Sequence, residues 1–253
     1  MSEESHDRLI AAICVFIDTS ESRKRPLVEW KHILGWINWG LNMFPLLRPA
    51  MQSSYMKISR KHIAWGMIYL YKAVIWHFTW LTDMIEASDH IHLLEMIEWT
   101  ESDAKLIIYC DASLSGLRFF ASLLRLGFYA VIPENPPLQM IFYFEALCIC
   151  TAILWALGFE HPVCQLLAFT DSLNCIEMFN SLSAKEGYNK ILLFVMRILI
   201  ASNISLHVFQ VPGTDNVVTD VLSRNLPKVA AASIAGLQIH IFKPPRSAMG
   251  QVE

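Results

Sequence analysis

Four carboxylates in short motifs are the residues most able to do chemistry. Asp111 lies in Ile107-Ile108-Tyr109-Cys110-Asp111-Ala112-Ser113. Glu145 sits in Phe142-Tyr143-Phe144-Glu145-Ala146-Leu147. Asp171 follows Ala168-Phe169-Thr170, and Asp220 lies in the run from Val211-Pro212-Gly213 to Leu222-Ser223-Arg224. An acid in apolar surroundings loses several kcal/mol of hydration unless it is paired or bound to a cation. Four such acids argue for a divalent metal site, and two metal ions about 4 Å apart are the common machinery for cutting a phosphodiester.

These acids need a scaffold, and the bulk composition supplies one. The chain has 253 residues, 54% hydrophobic and 17% charged, which excludes a disordered protein and bounds it to one large domain or a domain with an appendage. The high apolar share suggests a piece that packs against something else. The net charge of -3 looks wrong for a nucleic-acid enzyme. If metal neutralises the four acids, however, the remainder carries +1. The distribution matters more: from Ser20 to His62 there are eight Lys or Arg and two acids, and from Asp83 to Asp103 seven acids and no Lys or Arg. Either segment also reads as an ordinary solvated face.

Six cysteines show no zinc-like spacing with histidine, and most read as small buried hydrophobes. Without a secretory signal, a reducing intracellular compartment, cytoplasmic or nuclear, is expected. Ile63 to Ile85 is apolar, but Lys72, His77 and Asp83 within it argue for a packed helix and against a membrane span.

Residues 1–26 read as a polar amino-terminal arm ending in Arg23-Lys24-Arg25-Pro26, an exposed linker or a nuclear address. Residues 27–103 read as a helical region. The spacing of Trp30, Ile33, Leu34, Ile37, Leu41 and Phe44 predicts a helix from about Pro26 to Met43. A turn at Pro45–Pro49, a short helix, a long helix over Ile63–Ala87 and a short one over Asp89–Met96 follow. The pattern changes at Ala104. Lys105–Asp111, Leu117–Leu123 and Gly127–Ile132 predict three strands. Phe142–Leu157 reads as an apolar helix and Val163–Thr170 as a strand. Asp171 opens a helix to about Leu182, and another covers Tyr188–Ala201. Ser205–Val211 is a further strand and Thr214–Ser223 a further helix. The fold class is therefore α/β, a mixed five-stranded sheet flanked by helices over 104–225, with a helical segment before it and an extension over 226–253. Within the extension, Leu237–Phe242 reads as one more candidate strand.

Ligands bind at strand ends in such sheets. Asp111 and Asp171 each end a strand and can sit side by side only if those strands are neighbours. Each alone also reads as a turn or helix cap. Glu145 is sharper, because no basic residue stands within a helical turn of it. Asp220 follows Asn216 by four residues, on one helix face.

In order and separation (34, 26 and 49 residues), the four motifs resemble the ribonuclease H domain of retroelement reverse transcriptases, most of all elements found in fungi. The match covers about 104–225. Leu34-Gly35-Trp36-Ile37-Asn38-Trp39 and Phe44-Pro45-Leu46-Leu47-Arg48-Pro49 more loosely resemble the connecting region between a polymerase thumb and that domain. No Tyr-x-Asp-Asp polymerase signature occurs.

The resemblance implies a ribonuclease H-like fold and a metal-dependent endonuclease that hydrolyses the RNA strand of an RNA/DNA hybrid. Asp111, Glu145, Asp171 and Asp220 would hold two Mg²⁺ ions, or Mn²⁺ in their place. Ser113, Ser172, Asn174 and Asn216 would touch the backbone or a 2′-OH, although small polar residues at strand ends cap helices as often. A reverse-transcriptase polymerase domain is the implied partner. Two departures stand out. Thr214-Asp215 replaces the His that often follows the Pro-Gly turn, and Leu117-Arg118 follows Gly116 where a second Gly is usual. Arg118 there implies either a strained turn or a phosphate contact. The rival reading is an inactive retroelement remnant that binds nucleic acid or serves in packing. Integrases carry a late Glu, and proofreading exonucleases need Asp-x-Glu in the first strand, which Asp111-Ala112-Ser113 lacks.

Overall fold

The computed structural model describes residues 3–87, 99–134, 136–138, 140–159, 163–185, 187–211 and 236–249. The chain divides into two compact units, Met1–Met96 and Ile97–Glu253.

The first unit is mostly helical. Its elements are α1 (Glu3–Ile17), β1 (Lys24–Pro26), α2 (Leu27–Gly40), a 3₁₀ turn at Pro45–Met51, α3 (Gln52–Ile58), β2 (Met67–Tyr69) and α4 (Lys72–Ala87). The core gathers Phe16, Trp30 and Phe78, with Phe16 edge-on to Trp30 at 5.1 Å between ring centroids. Two of the expectations change. The amino-terminal segment is a helix and a strand, with Leu9, Ile13 and Phe16 buried. The helix expected from Ile63 begins only at Lys72, because Met67–Tyr69 pairs antiparallel with Lys24–Pro26. The loop before β2 also serves α2. The first free amides of α2 donate to backbone carbonyls there, Leu27 to Gly66 at 3.1 Å and Val28 to Ala64 at 2.9 Å. A continuous helix from Ile63 would forfeit those bonds. The short helix read at Asp89–Met96 lies outside the described residues.

The second unit holds one mixed sheet in the order β7-β6-β3-β4-β5-β8. The strands are β3 (Leu106–Ser113), β4 (Gly116–Ala121), β5 (Leu126–Val131), β6 (Gln165–Thr170), β7 (Ser205–Gln210) and β8 (Gln238–Ile241). The first three form an antiparallel meander, while β6 runs parallel to β3, β7 parallel to β6 and β8 parallel to β5. The helices are α5 (Ile141–Ala156), α6 (Leu173–Ser181) and α7 (Asn189–Ala201). The sheet has six strands instead of five, because the stretch read at Leu237–Phe242 adds β8 to the edge. The mixed α/β arrangement flanked by helices stands as expected, and no described helix is long and apolar enough to cross a membrane.

Each element follows from its residues. The strand β3 alternates buried and half-buried positions, so Leu106, Ile108, Cys110 and Ala112 face one layer and Ile107, Tyr109, Asp111 and Ser113 the other. Every residue of β4 is buried, as suits a strand inside the sheet. The α5 helix is apolar all round and its single charge is Glu145, which fits a helix laid on the sheet against β3 and β4. The Asn180 side chain ties α6 to β7, donating to the Val208 carbonyl at 2.8 Å and accepting from the Val208 amide at 3.4 Å.

Candidate active site

Three of the four carboxylates fall in the described residues and lie toward one end of the sheet, where their charges act on one another. Tyr109 of β3 lies level with Phe169 of β6, and their rings stack at 5.0 Å. The paired ladder ends there; Asp111 stands two residues on, still within β3, and Asp171 in the exposed bend just past the end of β6, near enough for its charge to act on Asp111. Glu145 enters from the second turn of α5. Its Oε2 accepts a hydrogen bond of 2.5 Å from Ser172 Oγ, in the link between β6 and α6. Ser172 is buried and does not cap α6 with its side chain. Its hydroxyl instead holds Glu145 beside Asp171, and its amide donates to Thr170 Oγ1 at 3.2 Å.

The electrostatics carry the mark of crowded acids. Burial pushes the Asp111 carboxyl up from 3.8 to about 6, and the charges of Asp171 and, less, Glu145 push the same way. An Ala112 amide and the Arg118 charge oppose them. Glu145 is also raised, mainly by burial, with the Ser172 bond pulling it down and Asp171 pushing it up. The donor set is carboxylate oxygen, the chemistry that suits Mg²⁺ or Mn²⁺. Among the described residues, no three His, Cys, Asp or Glu side chains are grouped closely enough to hold one ion. Asp220, the fourth acid expected at this site, and Asn216 lie outside the described residues.

Arg118 takes a place the sequence did not foretell. It stands opposite Asp111 on the β3–β4 ladder and is only 2% exposed. Its backbone is extended strand and not a left-handed turn, so the expected strain is absent, and its burial removes the expected phosphate contact. The guanidinium folds over the neighbouring rung, where Nη1 donates to Ser113 Oγ at 3.2 Å. Gly116 makes that seat: a Cβ there would come within 3.0 and 3.1 Å of the two terminal guanidinium nitrogens and 2.8 Å of the Ala130 carbonyl oxygen. A buried cation beside the acids offsets part of their charge.

The remaining candidates divide. Ser113 shares the Asp111 face, and its hydroxyl is engaged within the hairpin with Ser115 Oγ at 2.9 Å as well as with Arg118. Asn174 is exposed on α6. On the opposite layer, burial pushes the Cys110 thiol well up, and Cys148, stacked on it from α5, donates to the Arg118 carbonyl at 2.9 Å. Cys110, Cys148, Cys150 and Cys175 are buried packing groups, as their apolar runs suggested, whereas Cys14 and Cys164 are exposed.

No protein-family model matches the chain, and no curated protein matches it. Solved structures do. Over 49% of this chain and 98% of the other, it is similar to ribonuclease H1 from the halophilic archaeon Halobacterium salinarum, at 13% identity and a TM-score of 0.38. It is similar to the amino-terminal RNase H domain of rv2228c from Mycobacterium tuberculosis at 15% identity, over 52% of this chain and 99% of the other, with a TM-score of 0.37. A foamy viral protease-reverse transcriptase in complex with RNA/DNA hybrid matches 83% of this chain and 27% of its own, at 12% identity and a TM-score of 0.27. These are likenesses of fold, and the chemistry rests on the carboxylates themselves.

Proposed function

We propose that this chain is a metal-dependent endonuclease of ribonuclease H type that hydrolyses the RNA strand of RNA/DNA hybrids and derives from a retroelement reverse-transcriptase polyprotein. The observation that carries the reading is that Asp111, near the carboxyl end of β3, and Asp171, just past the carboxyl end of the adjacent parallel β6, lie near enough for their charges to interact, with Glu145 bonded to Ser172 beside them. Burial raises the Asp111 carboxyl most, and the neighbouring acids add to it by repulsion that a bound cation would relieve.

Asp111, Glu145 and Asp171, with Asp220, would hold two Mg²⁺ ions. Divalent ions bound there supply activation of a water and charge stabilisation at the scissile phosphate. The chain's own residues prepare the place. Ser172 fixes the Glu145 carboxylate, and Arg118 steadies Asp111 from the next strand. Buried Cys110 and Ala112, on the other face of β3, hold that strand against α5. In this reading, residues 27–103 are the connection-like segment, residues 104–225 the nuclease domain, and a polymerase domain the partner. The compartment is cytoplasmic or nuclear.

A second reading, a remnant that has lost activity, draws on one observation. Arg118 is a cation seated against Asp111, where an incoming metal ion would meet like charge. One experiment separates the two: Mg²⁺-dependent cleavage of a labelled RNA/DNA hybrid by the purified protein and by its Asp111→Asn variant. Cleavage by the wild type that the variant loses supports the nuclease. A folded wild type that cleaves nothing, with Mg²⁺ or Mn²⁺, refutes the stand-alone enzyme and leaves the remnant.

A further inference from the structure

The first unit carries a feature that the acid cluster does not use. From Trp30 through Thr82 the chain contains no Asp or Glu. Three of the six Lys and Arg of that stretch line one cleft. The end of α3, the loop after it and β2 enclose a cleft of about 450 Å³ lined by Lys57, Arg60, Lys61, His62 and Tyr69 among others. Among the described residues, no carboxylate pairs with Lys57, Arg60 or Lys61. The nearby Arg25 is engaged differently, with Glu29 at 4.0 Å.

Exposed aromatic rings lie on the same loop and strand. Trp65, in the loop before β2, is 75% exposed, Tyr71 53% and Tyr69, which lines the cleft, 40%. The Tyr69 and Tyr71 rings lie 5.9 Å apart. Lys57 Nζ sits 3.3 Å over the Tyr71 ring, and Arg23 Nη1 donates to the Tyr69 hydroxyl at 3.4 Å. Exposed rings of this size lose free energy in water unless something covers them. Arg60 adopts a left-handed backbone, φ 61°, where glycine or asparagine would sit more easily, so a basic side chain is held at the mouth of the cleft against the local backbone preference.

We propose that this cleft and its rings form a binding site for single-stranded nucleic acid, the cations meeting backbone phosphates and Trp65 stacking on an unpaired base. A duplex hides its base faces in its own stack, so only a single strand uses both halves of the surface. The site is independent of the carboxylates and stands or falls without them.

The test is fluorescence anisotropy of a labelled oligodeoxythymidine strand with the full-length protein in EDTA, which silences any metal-dependent cleavage. Binding should weaken steeply with salt and exceed that of a blunt duplex of equal length. Trp65→Ala should weaken it about tenfold, the effect of losing one stacked base. Arg60→Gly should weaken binding and flatten the logarithmic salt slope by about 0.7, the share of one single-strand phosphate. That variant suits the backbone at this position, so misfolding does not confound it. Equal affinity for strand and duplex, or an unchanged affinity in both folded variants, overturns the proposal. So does binding to phosphatidylserine vesicles in place of the oligonucleotide. Because no cleavage is measured, failure of the nuclease reading leaves this result untouched.

Discussion

Replacing Asp111 by asparagine should make the protein more stable at neutral pH while abolishing whatever its acids do. Asp111 is mostly buried and close to Asp171 and Glu145, and its carboxyl is pushed from 3.8 up to about 6. A carboxyl raised on folding contributes stability that is fully present below its unfolded value and lost as pH rises through the folded one. The window is therefore about pH 3.8 to 6. Above it, the folded state carries a penalty of about 3 kcal/mol, from the gap between the two values. Asparagine keeps the shape and removes the ionisation. In EDTA at pH 8 the Asp111→Asn variant should gain about 3 kcal/mol, or about 6 to 12 °C in Tm for a unit of this size. At about pH 3, below that window, the two proteins should melt together. Urea titrations at both pH values, followed by far-UV circular dichroism, measure the difference. Added Mg²⁺ should then raise the wild type and not the variant. A variant equal to or weaker than wild type at pH 8 would refute the picture of a desolvated Asp111 crowded by neighbouring acids.

Two further substitutions probe what surrounds the acids. Gly116→Ala places a methyl 2.8 Å from the Ala130 carbonyl oxygen and 3.0 Å from the Arg118 guanidinium, so it should cost about 1–3 kcal/mol in urea unfolding; no loss would mean that Gly116 does not make the guanidinium's seat. Ser172→Ala removes the donor to Glu145, whose carboxyl should move further up, since that bond holds it down. The bond favours the ionised form, so its contribution, about 1 kcal/mol for a half-exposed acceptor, should be present at neutral pH and fade as pH falls through the Glu145 titration. A stability loss that does not change with pH would show that Ser172 acts only by packing.

Much of the second unit was legible in the chain order of residues. Local patterns determine the elements that position the acids: the alternation around Tyr109 and Asp111, the run ending at Thr170, and an apolar helix with one glutamate. These patterns are periodic at the scale of a single strand or helix, so no distant partner is needed to read them. They also implied that Asp111 and Asp171 meet if their strands are neighbours, a condition only the sheet order meets.

What tertiary structure alone decided lies where a distant partner overrides a local pattern. Met67–Tyr69 looks helical until Lys24–Pro26 supplies a ladder for it. The expected polar arm becomes an amphipathic helix that buries Leu9, Ile13 and Phe16, the last against Trp30 and Phe78. The strand expected at Leu237–Phe242 joins the sheet as its sixth member because β5 leaves an edge open to it. Arg118 reads in sequence as a surface charge at a turn, yet its strand is covered on both faces, and Gly116 leaves the one space its guanidinium can fill. By itself the sequence determined which acids are present and which elements carry them. Only the packing of the sheet decided that the strands of Asp111 and Asp171 are neighbours, that Ser172 bonds Glu145 beside them, and that a buried cation lies alongside. The period of a strand is local, whereas its neighbours are chosen by the whole chain.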